Sequence, residues 1–185
     1  MKHPAGQTDA SMPAHRSILP RRRRDIVVAI DDTGDSENSL MWMLDTMYMP
    51  GDMVHLVHVI APQPETLHNW NIANNNEETE ILDTKTFAKR RFARVLEENK
   101  VQFSLHVVSA DSSDSQCIAK TIQDKANELG AAAIVIGKHS KSKITQFFLG
   151  SVTKCLITNA SRDSAIPVCI VPPPQDSRTE HGHTE

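Results

Sequence analysis

Across residues 25–171, short β-branched runs alternate with longer stretches of helical period. Residues 25–31 (DIVVAID) form a continuous apolar run of strand length, the pattern of a strand covered on both faces. Leu40, Met43, Leu44 and Met47 then recur at helical spacing behind Asp35 and Ser36, two residues of N-cap type, and Pro50 with Gly51 ends that helix. Residues 53–60 (MVHLVHVI) predict a second strand. Residues 61–76, with Pro62, Pro64 and three consecutive asparagines, read as a long loop. In the helix expected over 77–99, Phe92 and Leu96 sit one turn apart below Ala88. Its basic face of Lys89, Arg90, Arg91 and Arg94 reads as a solvated surface, because Glu97 and Glu98 follow.

A third strand is expected at 101–109 (VQFSLHVVS). Ser113 to Gln116 offers a capping box, and Ile118, Ile122, Ala126 and Leu129 place one apolar stripe on a helix that stops at Gly130. Residues 131–136 (AAAIVI) make a small, wholly apolar fourth strand. A further helix begins near Leu149 to Ser151, and 166–171 (IPVCIV) supply the last strand. Strands alternating with helices in this order predict a parallel sheet with right-handed crossovers and helices on both faces. Ligands of such sheets sit beyond the carboxyl ends of the strands at a topological switch point, which directs attention to the residues after Ile30, Ile60 and Ile136.

The 185 residues suit one domain with loose ends. The expected division is a disordered basic arm over 1–24, a folded domain over 25–172 and a flexible tail over 173–185, since both ends lack apolar periodicity. Net charge is -3, yet residues 1–24 carry six basic side chains against Asp9 alone, which leaves the body acidic. An acidic body argues against nucleic-acid binding, which relies on a basic surface. Three cysteines without metal-ligand spacing suggest neither a disulfide framework nor a zinc site, and Cys155 and Cys169 are expected to be buried structural residues. No apolar run reaches the length of a membrane span. The expected compartment is the cytoplasm, with a nuclear or organellar address open from the arginine run.

Candidate chemistry concentrates after the fourth strand, where Gly137 and Gly150 bracket a lysine-bearing loop that leads into a helix headed by Ser151. A glycine lets the backbone approach an anion, and unpaired N–H groups at a helix start favour negative charge. Lys138, Lys141 and Lys143 add positive charge, and Ser151 adds a hydroxyl. The alternative is a plain turn with a serine cap. Asp31, at the end of the first strand, can accept hydrogen bonds from a ribose diol or can cap the following turn. The histidines suggest no enzyme: His55 and His58 lie on opposite faces of one strand, and His106 is in another.

VVAIDDT at the first strand, LVHVI at the second, and IVIG followed by a G-x-x-G-x₉-G-[S/T]-like loop together resemble the universal stress protein family. The loop runs through Gly137, Ser140, Gly150 and Ser151, and FLGSVT and PVCIVP also match, so the resemblance covers residues 25–172. It implies a Rossmann-like fold of the adenine nucleotide alpha hydrolase type: five parallel strands ordered 3-2-1-4-5, in a homodimer formed through the last strand. For ATP-binding members it implies ribose at Asp31, adenine at the backbone of Val59, and phosphates at Gly137, Ser140, Gly150 and Ser151, with the charges of Lys138 and Lys141 beside them as further binding candidates. ATP is the expected ligand, with AMP or ADP as alternatives and Mg²⁺ as a companion. Ser140 stands where ATP-binding members have glycine; if that position needs φ > 0, the strain is of order 1–2 kcal/mol. Two other readings stay open: a dimeric scaffold of the same fold that binds no nucleotide, and a slow ATPase. The physiological partner is not implied.

Overall fold

The computed structural model describes residues 22–62, 77–138, 149–160 and 166–174. The elements are β1 (Asp25–Ala29), α1 (Gly34–Thr46) and β2 (Met53–Ile60), then α2 (Glu77–Ala88), which runs through a π-helical turn (Lys89–Ala93) into α3 (Arg94–Glu98). β3 (Gln102–Ser109), α4 (Ser115–Glu128), β4 (Ala133–Gly137), α5 (Ser151–Ala160) and β5 (Val168–Val171) complete the chain. The five strands form one sheet in the order β3-β2-β1-β4-β5 with every pairing parallel. This is the expected architecture, and the chain reverses its direction of growth between β1 and β4.

The central strand shows why its sequence is apolar throughout. Ile26, Val28 and Ile30 enter a cluster with Leu40 and Met43 of α1 and with Phe92 and Leu96. The alternate residues Val27 and Ala29 face Ile122 and Ala126 of α4 and Leu156 of α5. Side chains that alternate across a sheet covered on both sides leave no solvent-facing position for a polar residue. Ala88, Phe92 and Leu96 are all buried, as their spacing predicts. The expected Gly130 stop is also present: its φ of +62° is the left-handed conformation that closes a helix.

Several local expectations are corrected. Thr33, not Asp35 or Ser36, occupies the N-cap of α1, and Ser36 turns back toward Asp31. Asp114, not Ser113, caps α4, accepting hydrogen bonds from the Gln116 and Cys117 amides. A carboxylate one residue nearer the helix reaches both orphan N–H groups at once. Cys117, Cys155 and Cys169 are free thiols and half-buried rather than enclosed. Arg24, assigned to the arm by composition, pairs with the buried Asp52 at 2.5 Å and donates to the Met47 carbonyl. Among the described residues no helix is long and apolar enough to cross a membrane.

Candidate functional site

Where β1 ends, the Ile30 amide still bonds to the Val57 carbonyl across the sheet. The chain then leaves at Asp31, and its own side chains organise the exit. Asp31 Oδ1 accepts from the Thr33 amide at 2.9 Å, from Thr33 Oγ1 at 2.5 Å and from Ser36 Oγ at 2.7 Å, while Ser36 Oγ accepts from the Asp31 amide at 2.8 Å. The carboxylate therefore caps the β1–α1 turn, one of its two expected uses, and is held in a single orientation. The carbonyls on either side of it are also engaged. His58 Nδ1 lies 3.0 Å from the Ile30 carbonyl oxygen, which can only accept, so Nδ1 carries the proton there. Arg91 Nη1 donates to the Asp32 carbonyl.

A cavity of about 240 Å³ opens at this point, between the carboxyl ends of β1, β2 and β4 and the starts of α1 and α5. Asp31, Val59, Gly137, Gly150 and Ser151 line it, drawn from four separate stretches of sequence. One wall is apolar, with Ile118 and Ile122 of α4, Ile136 and Val152; the other carries Asp31, Thr33, Asp35 and Ser36. Two helices, α1 and α5, begin at its rim, and a helix start carries unpaired N–H groups and the positive end of the dipole.

Gly137 has a reason that the sequence did not disclose. A Cβ on it would stand 2.9 Å from the Asp35 carbonyl oxygen and 3.0 Å from Ser39 Oγ, so the first turn of α1 rests directly on the end of β4. The Gly137 carbonyl faces the buried Thr153 hydroxyl at 3.4 Å. Lys138 is half-buried, and its amide bonds to the Val171 carbonyl, prolonging the β4–β5 pairing. Ser151 Oγ accepts from Ser115 Oγ at 2.7 Å, joining the starts of α4 and α5, and the Gly150 carbonyl accepts from the Lys154 amide. Ser140 and Lys141, with Lys143, lie outside the described residues.

Sequence reasoning missed Thr33, Ser36, His58 and Thr153 as cavity-lining residues. The D-x-T-x-x-S spacing from Asp31 to Ser36 was the one available signal, as an aspartate that bonds backbone and hydroxyl groups shortly after it. Arg91 was read as solvated, yet it joins Glu37 at 2.5 Å besides the Asp32 carbonyl and lies over the Phe87 and Phe92 rings. A second polar group forms below the cavity. His55 Nε2 meets Asp25 at 2.9 Å, while its Nδ1 lies 2.8 Å from Ser104 Oγ and 3.1 Å from His106 Nε2. His55 and His58 do face opposite ways, but the β2–β3 register brings His55 and His106 together. Burial pushes the His106 pKa down, Lys125 and His55 push it further, and Glu128 opposes them.

Solved structures of the same architecture include a universal stress protein from Archaeoglobus fulgidus, with a TM-score of 0.58 and 22% identity over 80% of this chain and 98% of that one. A universal stress protein family member from Burkholderia pseudomallei matches with a TM-score of 0.56 and 19% identity over 80% and 96% of the two chains. The Archaeoglobus fulgidus protein in complex with dAMP matches with a TM-score of 0.53 and 21% identity, again over 80% and 96%. At these identities the likeness is one of fold. Comparison with curated proteins finds no match. Residues 22–172 match the universal stress protein family, and the chain belongs to it.

Proposed function

We propose that this protein is a regulatory module that binds an adenine nucleotide, ATP first and AMP or ADP as alternatives, and acts by changing its contacts rather than by chemistry. The observation that carries the reading is the convergence of Asp31, Val59, Gly137, Gly150 and Ser151 on one cavity at the β1–β4 switch point. Adenine suits the apolar wall of Ile118, Ile122 and Val59, and the ribose diol suits the oriented Asp31 carboxylate. Phosphates suit the start of α5 at Gly150 and Ser151, with Lys138, Ser140 and Lys141 in the connecting loop. The dAMP complex of the Archaeoglobus fulgidus protein supports an adenine nucleotide on this fold.

Among the described residues no three His, Cys, Asp or Glu side chains assemble as a metal site. Magnesium arriving with ATP would be held mainly by phosphate and water, with Asp31 and Asp35 as the carboxylates on the cavity wall. The unit carrying this function is residues 25–172 together with Arg24, which is tied to Asp52, with 1–23 and 173–185 as appendages. We place a homodimer contact at β5, which ends the sheet and pairs with β4.

Thermal unfolding with and without millimolar ATP tests the reading, since a ligand at 100 times its Kd adds about 2.7 kcal/mol. Gly150→Asp, which sets a carboxylate in the phosphate position, is expected to abolish the shift. A wild-type protein unmoved by ATP, ADP and AMP would overturn the proposal. Ser140 favours the scaffold reading, and calorimetry on Ser140→Gly decides between them: tighter ATP binding supports the site, and no binding in either protein supports the scaffold.

A further inference from the structure

The loop that carries Asp31 is held from outside by side chains of two other elements, His58 of β2 at the Ile30 carbonyl and Arg91 at the Asp32 carbonyl. Arg91 lies in the π-helical turn, a local widening of the helix that is common at functional positions. Its Nη1 donates to the Asp32 carbonyl and its Nε donates to Glu37 Oε1 at 2.5 Å. One planar fork thus spans the peptide after Asp32 and the first turn of α1, and a lysine, with a single point of attachment, cannot bridge both in the same way. The guanidinium carbon lies 5.6 Å from the Phe87 ring centroid and 5.8 Å from that of Phe92, which limits its swing. Inside the loop, Thr33 and Ser36 fix the Asp31 carboxylate, but those bonds are local and move with the loop. Arg91 ties it to the helix that follows β2.

We infer that Arg91 is a positioning residue for the nucleotide ribose: it fixes the β1–α1 loop so that the Asp31 carboxylate meets the sugar hydroxyls. This rests on the adenine-nucleotide reading above. Arg91 touches no nucleotide atom in this scheme; its contribution is to orient Asp31 before the ligand arrives, which lowers the ordering cost of binding.

The test compares AMP with 2′,3′-dideoxy-AMP, which lacks the hydroxyls that Asp31 would receive, by calorimetry on wild type, Arg91→Gln and Arg91→Lys. Wild type should prefer AMP. Arg91→Gln should bind AMP about tenfold more weakly, the scale of losing a charge-assisted hydrogen bond in a partly exposed setting, with dideoxy-AMP changed less than about twofold. Arg91→Lys, which keeps the charge, should recover part of the preference and serves as the readout if the glutamine variant does not fold. A general structural role would weaken both nucleotides alike; that result, or no change in either, would overturn the role of Arg91 while leaving the nucleotide site intact. Wild type that binds neither nucleotide would instead overturn the functional reading and the positioning role together.

Discussion

Gly137→Ala is expected to destabilise the protein whether or not nucleotide is present. The new methyl group would meet the Asp35 carbonyl oxygen at 2.9 Å, the Asp35 Cβ at 3.0 Å and Ser39 Oγ at 3.0 Å. None of these can step aside cheaply. The first belongs to the helix backbone, and Ser39 is fully buried with its hydroxyl donating to that same carbonyl at 2.6 Å. Relief requires α1 to lift from the end of β4, and overpacking of this kind costs about 1–3 kcal/mol. For a domain of this size each kcal/mol lowers Tm by about 2–4 °C. Gly34→Ala is the matched control, because nothing lies within 4 Å of its added Cβ and it opens α1 without a left-handed φ. That change should be neutral or stabilising by up to about 1 kcal/mol. Urea unfolding of both variants without ligand is the assay. Equal midpoints for Gly137→Ala and wild type would refute the close seating of α1 on β4, and a loss seen only with nucleotide bound would return Gly137 to the anion-approach role expected from sequence.

Arg24→Met leaves the Asp52 carboxylate buried without its guanidinium, and should cost about 2–3 kcal/mol at neutral pH, below the range for fully enclosed pairs because Arg24 reaches solvent. Burial alone would raise the Asp52 pKa, but the Arg24 and Met49 hydrogen bonds and the attraction of Arg24 outweigh it and hold the carboxyl below its usual range. The stability this gives is present above the usual carboxyl pKa and is lost as pH falls through the depressed value, so urea midpoints of variant and wild type should converge in acid. His106 has its pKa lowered from 6.5, chiefly by burial, so the folded state binds fewer protons and stability falls as pH drops below 6.5. Unfolding midpoints at pH 7.5 and 5.5 should therefore differ less in His106→Asn than in wild type. Asp114→Ala should lower the thermal midpoint measured by circular dichroism, whereas Ser113→Ala should leave it unchanged.

The strands were legible because burial on both faces leaves runs such as residues 25–31 with no other use, and the Gly130 stop was legible because only a left-handed residue closes α4 there. The strand order came from resemblance, since periodicity says that strands exist and not which ones are neighbours. What stayed hidden depends on register or long-range contact. Nothing local in Arg91 reveals a partner 59 residues away at Asp32, and the polar side of its helix looks the same whether it meets water or another element. The His55–Ser104–His106 group arises only once His55 pairs with Ser104 in the parallel ladder. Asp31 was found for its position, and the sequence offered a ribose contact or a turn cap; the structure shows the cap, made by a residue that also lines the cavity.

The π-helical turn at Lys89–Ala93 has a consequence for changes in chain length. Ala88, Phe92 and Leu96 recur every four residues, a step wider than the 3.6 of an ordinary helix, and the loosened winding keeps all three pointed at the core. A π turn holds one residue more than the same stretch of α-helix, so deleting one residue within it would let the helix rewind to ordinary geometry while the segments before and after keep their relative orientation. The core anchors on either side would still face inward, whereas the same deletion in a regular stretch of helix turns everything before the cut by roughly 100° relative to everything after it. Deleting Lys89 or Arg90 should therefore cost less stability than deleting one residue inside α4, which has no such turn.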